Sequence, residues 1–155
     1  MTDEREELEA ALRRAGLRIT APRIAVLRAI RRNPHATVED LAERARQRLG
    51  AVSTQAVYDI VAVLEQAGLV RRIQPSGHAS HYETRVADNH HHVVCRRCGA
   101  IADVDCAVGA MPCLEPSSTS GFTIEEAEIN FWGLCPACAA ARVEDGPRET
   151  EERAE

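Results

Sequence analysis

The sequence contains no lysine: all 19 of its basic residues are arginine. Alanine is abundant as well, the pattern of a GC-rich genome, and no function follows from it. No apolar run approaches the roughly 20 residues that cross a bilayer. The opening stretch "MTDEREELEAALRRAG" lacks the apolar centre of a secretory signal. A cytoplasmic protein with no membrane partner is therefore expected. Cysteine is missing from the front half altogether; the six stand at 95, 98, 106, 113, 135 and 138. No internal repeat occurs apart from two Cys-x-x-Cys pairs.

A net charge of −5 over 155 residues at first argues against a polyanionic partner. The charge is unevenly divided, however. Residues 1–80 carry 13 Arg against 10 Asp and Glu, whereas residues 81–155 carry 6 against 14. A mildly basic front and an acidic back suit a chain in which only the front meets nucleic acid.

The front half reads as punctuated helices. Leu8, Leu12 and Ala15 share one face of a helix over residues 4–15, which Gly16 stops. Pro22 suits the first turn of a second helix, with Ile24, Leu27 and Ile30 inward and Asn33-Pro34 ending it. Thr37 and Asp40 form the two ends of a capping box that opens a third, with Val38, Leu41, Ala42, Ala45 and Leu49 facing the core and Gly50 at its end. Ser53 caps a fourth, "STQAVYDIVAVLEQAG", whose Val57, Ile60, Val61 and Leu64 make one apolar stripe. Two short strands then flank Pro75-Ser76-Gly77. This order predicts a winged helix-turn-helix with the fourth helix in a major groove. The expected divisions are a DNA-binding domain over 1–84, a linker over 85–89, a smaller metal-binding domain over 90–141, and a disordered tail over 142–155. The pattern after the linker is β-rich and short of helix signals, with a Pro-, Ser- and Gly-rich loop at 109–121.

Cys95-x-x-Cys98 and Cys135-x-x-Cys138 are the strongest chemical signal. Each pair bites one ion, and two pairs complete a closed tetrahedral shell, so a structural Zn2+ is expected. Gly99 and Pro136 fit tight turns at the two pairs. "CPAC" also has the form of a redox pair, but it lies near the end of the folded chain rather than at the start of a βαβ unit. A zinc deaminase would have proline before its second pair, where Leu134 stands.

Three histidines precede the first pair. On a strand, His90 and His92 point one way and His91 the other. That pair is a weak metal signal alone, since a surface strand can carry histidines to no purpose. Glu83 at the end of the wing, Asp103 after the first cysteine pair and His35 between the second and third helices strengthen it. Imidazoles with carboxylates suit Mn2+, Fe2+ or Zn2+ rather than Ca2+. A site bridging two domains would couple metal occupancy to their relative orientation.

At this point the residues resemble a known family. "GLRITAPRIAVL", "HATVEDL", "STQAVYDIVAVLEQAGLV", "HYE" and "NHHHVVCRRCG" with "GLCPAC" are similar to the ferric uptake regulator family over roughly residues 5–140. "DNHHHVVCRRCGAIADVDCAVG" resembles its actinobacterial branch tied to catalase-peroxidase control. The resemblance implies an α+β protein with an N-terminal winged helix and a C-terminal α/β dimerisation domain. It implies a structural zinc at Cys95, Cys98, Cys135 and Cys138. It also implies a regulatory Fe2+ or Mn2+ at His35, Glu83, His90, His92 and Asp103. A further site found in some members is not expected, because Asn89 is a poor ligand and no histidine follows His92.

The implied activity is repression as a homodimer on a palindromic, AT-rich operator in double-stranded DNA. The exposed side of the fourth helix offers Ser53, Thr54, Gln55 and Tyr58; glutamine can pair with adenine, and the tyrosine ring can meet a thymine methyl. In this family the tyrosine at this place reads the groove. Arg18 and Arg23 are expected on phosphates. Asp103, a short carboxylate, leans towards a peroxide sensor and Glu83 towards an iron sensor; the branch resemblance favours peroxide, with His35 and His90 as the histidines oxidised. Cys106 and Cys113 are additional to the zinc set, either a thiol redox pair or small loop or core residues. An enzyme would need an open metal position with a base and a substrate pocket, and a storage module would need no winged helix.

Overall fold

The computed structural model describes residues 3–86, 90–105, 116–124 and 128–144. The chain divides into two compact units, Met1–Asp88 and Asn89–Glu155. Each is α+β.

In the first unit, helix α1 (Glu4–Arg14) starts at Asp3, whose side chain accepts from the Arg5 N–H, and buries Leu8 and Leu12. Helix α2 (Ala21–Arg32) starts at Thr20, whose side chain accepts from the Arg23 N–H. Its first-turn proline is tolerated because no helical partner is lost there. A two-residue strand β1 (Ala36–Thr37), absent from the sequence pattern, precedes helix α3 (Val38–Leu49). The Thr37–Asp40 capping box forms in both directions, which satisfies two N–H groups the helix leaves over. Val38, Leu41, Ala42 and Ala45 are buried as expected, but Leu49 is only half-buried, being the last helical residue before the Gly50 cap. Helix α4 (Thr54–Gln66), capped by Ser53, buries Val57, Val61 and Leu64, with Ile60 packed at the edge.

Strands β2 (Arg71–Ile73) and β3 (His81–Glu83) form the wing. They pair antiparallel, and β1 adds to the free side of β3 in the order β1-β3-β2, with Ala36 opposite Tyr82. The Pro75-Ser76-Gly77 turn closes through the His78 N–H to the Pro75 carbonyl at 3.1 Å.

An arginine–glutamate cluster fastens α1 to α2. Glu4 lies 3.2 Å from Arg28 Nε and 3.0 Å from an Arg31 nitrogen, and accepts from Arg32 Nε at 2.9 Å. The Arg32 hydrogen bond, with help from Arg31, holds the Glu4 carboxyl down at about 2 from its ordinary 4.5. A depressed folded-state pKa stabilises the fold fully above the unfolded value, and that stability is lost as pH falls through the folded one. The melting temperature of E4Q should therefore fall less steeply than that of the parent between pH 4.5 and 2. Parallel slopes would mean that the cluster contributes nothing to docking α1.

In the second unit, strand β4 (His90–Cys95) is central, antiparallel to β5 (Ile101–Asp105) and parallel to β6 (Asn130–Gly133). Helix α5 (Pro136–Glu144) follows, in a stretch whose sequence pattern was short of helix signals although the family resemblance implied an α/β domain. Its backbone runs to Glu144, three residues into the segment expected to be a tail; residues 145–155 lie outside the described ones.

Candidate metal centres and DNA-reading face

The turn after β4 and the start of α5 carry the four cysteines. Their sulfurs all lie within 4.8 Å of one another. Cys95 and Cys98 are joined by a tight turn in which the Gly99 N–H donates to the Cys95 carbonyl at 2.9 Å, and Gly99 has φ +74°. That left-handed backbone strains any residue with a Cβ. Cys135 and Cys138 frame the first turn of α5, where the Ala139 N–H donates to the Cys135 carbonyl at 2.9 Å. Sulfurs of the two pairs meet at 3.7 Å, Cys98 to Cys135. A regular tetrahedron with Zn–S bonds of about 2.3 Å has edges of about 3.8 Å. The donor set fits zinc and leaves no open position.

Electrostatics within the cluster are unequal. Backbone N–H groups, first that of Cys135 and then that of Cys98, pull the Cys95 thiol down to about 6. Hydrogen bonding with Cys135 and burial push Cys138 up to about 12. One thiolate is thus prepared by the backbone, while a full set of four needs a cation to hold it. Next to the first pair, the Arg96 guanidinium stacks 5.1 Å from the Trp132 ring centre, and the Arg96 N–H ties the turn to the Gly133 carbonyl at 2.9 Å.

The imidazoles and carboxylates form two groups, one in each unit. In the first unit His35 Nε2 and a Glu83 oxygen are 3.2 Å apart. His35 occupies left-handed backbone, φ +65°, which is costly for a residue with a side chain. It is fixed from both sides: its N–H donates to the Tyr82 carbonyl at 2.9 Å, and its carbonyl accepts from His81 Nδ1 at 2.7 Å. His81 is thus a supporting residue the sequence did not disclose, although it begins the "HYE" segment. Glu83 is fully buried.

In the second unit the strand alternation places His90 and His92 together. Their rings pack edge-on with centres 4.9 Å apart, and Asp103 Oδ1 lies 4.0 Å from His90 Nε2 and 3.8 Å from His92 Nε2. The ladder explains this, since His92 is directly opposite Asp103. His91 turns the other way, towards the Phe131 ring at 6.3 Å.

The outer side of α4 presents Gln55, Tyr58 and Asp59, all exposed. Ser53 spends its oxygen on the cap, accepting from the Ala56 N–H at 3.0 Å. Thr54 accepts from Arg46 at 2.7 Å, and Gln55 donates to Asp59 at 2.9 Å. The Tyr58 hydroxyl donates to Glu39 at 3.2 Å. Arg18 is exposed, and its carbonyl accepts from the Arg23 guanidinium at 2.9 Å. Cys106, Cys113 and Asn89 lie outside the described residues.

A winged helix joined to a domain with a zinc-type thiolate cluster defines a metal-binding transcription regulator as the class. Residues 14–132 match the model of the ferric uptake regulator family. The chain is 58% identical over 128 residues to the transcriptional regulator FurA of Mycobacterium tuberculosis, covering 83% of this chain and 87% of that protein. Among solved structures, the ferric uptake regulator of Vibrio cholerae has a TM-score of 0.65 at 26% identity, covering 82% of this chain and 98% of that one. That of Pseudomonas aeruginosa, solved with manganese, has a TM-score of 0.65 at 25% identity, covering 83% and 98%. The chain belongs to the ferric uptake regulator family and is a metal-dependent transcription regulator, not an enzyme. Among the described residues no helix is long and apolar enough to cross a membrane.

Proposed function

We propose that the protein is a homodimeric repressor whose grip on operator DNA depends on Fe2+ or Mn2+ held jointly by His35, Glu83, His90, His92 and Asp103, with Zn2+ at the four cysteines. The observation that carries this reading is the pairing of half-sites: a His–Glu pair in the DNA-reading unit and a His–His–Asp group in the other. Neither half alone offers enough ligands for a six-coordinate ion of this type, and an ion drawing on both favours the one arrangement of units that lets it bind. Family repressors bind DNA and act as dimers, so a two-fold operator follows, and the family resemblance makes AT-rich sequence our proposal for it. Tyr58 and Gln55 would read bases, Ser53 and Thr54 would line the approach, and Arg18 and Arg23 would take phosphates.

The signal we assign is peroxide. Bound iron would supply the reducing chemistry; in the net change one oxygen of H2O2 ends on an imidazole ring and the other leaves as water. His35 and His90 are the rings we assign to this fate, and loss of either as a ligand releases the metal and the operator. The short Asp103 carboxylate and the resemblance of residues 88–109 to the catalase-peroxidase-linked branch support this reading. Genes against oxidative stress, catalase-peroxidase among them, would then be derepressed. A second reading, an iron-responsive repressor of iron uptake, is favoured by the longer Glu83 acid and by the family's name. A third, thiol sensing at Cys106 and Cys113, rests on residues outside the described ones.

Mass spectrometry of the Fe2+-loaded protein after one equivalent of peroxide separates these readings. A gain of 16 Da on His35 or His90, with loss of operator binding, is expected. Unmodified histidines with binding intact would leave iron level as the signal, and oxidation confined to Cys106 and Cys113 would move the sensor to the thiols.

A further inference from the structure

Glu39 has no place in the reading above, yet it touches the residue assigned to base recognition. It is the second residue of α3, exposed, and its Oε1 accepts from the Tyr58 hydroxyl on α4 at 3.2 Å. A carboxylate on a surface that must approach phosphates lowers affinity for every sequence alike. Its place beside the exposed ring of Tyr58, 44% accessible, puts it where it can play a compensating role.

Resting on the DNA-binding reading, we propose that Glu39 is a positioning residue for base recognition, holding the Tyr58 hydroxyl so that the ring edge meets the groove in one orientation. Three features give it that capacity. First, Glu39 sits on a rigid base: the Thr37–Asp40 capping box, with Thr37 Oγ1 to Asp40 at 2.8 Å, fixes the first turn of α3. Second, the neighbouring reader is held by the same device, because Gln55 Nε2 donates to Asp59 at 2.9 Å, leaving its carbonyl and a second N–H to face a base. Third, the negative charge of Glu39 raises the Tyr58 pKa, the direction expected of a phenol that donates to the carboxylate. A tyrosine that enters the groove already oriented loses less side-chain freedom on binding. It also discriminates more sharply between a thymine methyl and a cytosine edge. Glu39 thus exchanges overall affinity for selectivity.

The test is quantitative sequencing of duplexes selected by the full-length, Mn2+-loaded protein from a randomised pool, alongside anisotropy at several salt concentrations. E39A is expected to bind unselected DNA more tightly, by about threefold for one repulsive charge removed. Its preference at the thymine-reading positions should fall by about fivefold or more. E39Q, which keeps an acceptor oxygen without the charge, should bind unselected DNA as E39A does while keeping the parent's preference. Y58F should lose the preference as E39A does, and E39A/Y58F should lose no more than either. If E39A and the parent select the same motif with the same strength, or if E39Q loses preference as fully as E39A, Glu39 does not position Tyr58. Should the parent select no motif at all, the DNA-reading assignment of Tyr58 falls and this inference with it. Selection by the parent with an unchanged E39A overturns only the inference. Circular dichroism of the four variants verifies that the exposed substitutions leave the fold intact.

Discussion

Replacing Cys135 by serine is expected to unfold the second unit while leaving the winged helix standing. The hydrophobic cluster of the described residues lies wholly in the first unit, from Leu8 to Tyr82. In the second unit the buried apolar residues among those described are Val94 and Cys95. The buried surface of these described residues does not by itself offset the conformational entropy of the strands they form. Two tight turns, one after β4 and one opening α5, must be tied by something else, and four sulfurs within 4.8 Å supply the tie. Structural zinc contributes about 10–16 kcal/mol in small zinc-dependent domains, comparable to the whole margin of about 5–15 kcal/mol of a typical domain. Calorimetry of C135S should therefore show one transition in place of two, and most of the helical signal at 222 nm should remain because α1–α4 do not depend on the metal. Prolonged chelation of the parent should reproduce the result, and added Zn2+ should reverse it. An unaltered melting profile in C135S would make the cluster a dispensable thiol group and return the redox reading to contention.

His92→Ala is expected to abolish activation by Mn2+ without touching the zinc. His92 is buried, at 1% exposure, beside both His90 and Asp103. Loss of a group that merely supports a ligand costs about 10–100-fold in metal affinity, so loss of a proposed ligand should raise the Mn2+ needed for operator binding by more than that. The readout is anisotropy of labelled DNA from upstream of its own gene, titrated with Mn2+ against chelator-treated protein, with zinc content measured in parallel. His78→Ala, in the wing turn and outside both donor sets, should behave as the parent does. Activation of H92A at the parent's Mn2+ concentration would remove the histidine strand from the regulatory site. Loss of zinc together with activation would show that the substitution had damaged the strand itself.

The local rules of the chain account well for its helices. Asp3, Thr20, Thr37 and Ser53 each cap one, and each cap is a short-range event between a side chain and an N–H two or three residues on. The period of Val57, Val61 and Leu64 likewise needs no partner to be recognised. The cysteine pairs were legible because metal chelation imposes its own spacing. His90 and His92 shared a face by strand alternation alone. Beyond that range the pattern failed in specific ways. Strand β1 has two residues, too few to announce themselves, and exists because Tyr82 and His81 on β3 offer unpaired backbone groups. Helix α5 was missed because cysteine, proline and alanine near a metal knuckle read first as a turn.

The sequence by itself determined the order of α1 to α4 and the spacing of the two cysteine pairs, since each depends on neighbours within a few positions. The tertiary structure alone decided which distant groups meet. It brought Cys98 to Cys135, 37 positions apart, and Tyr58 to Glu39, 19 apart. It also held His35 in a left-handed backbone between Tyr82 and His81. Such contacts form only when sheet pairing and helix packing close long loops, and their energy is shared over the whole fold rather than written in any short stretch.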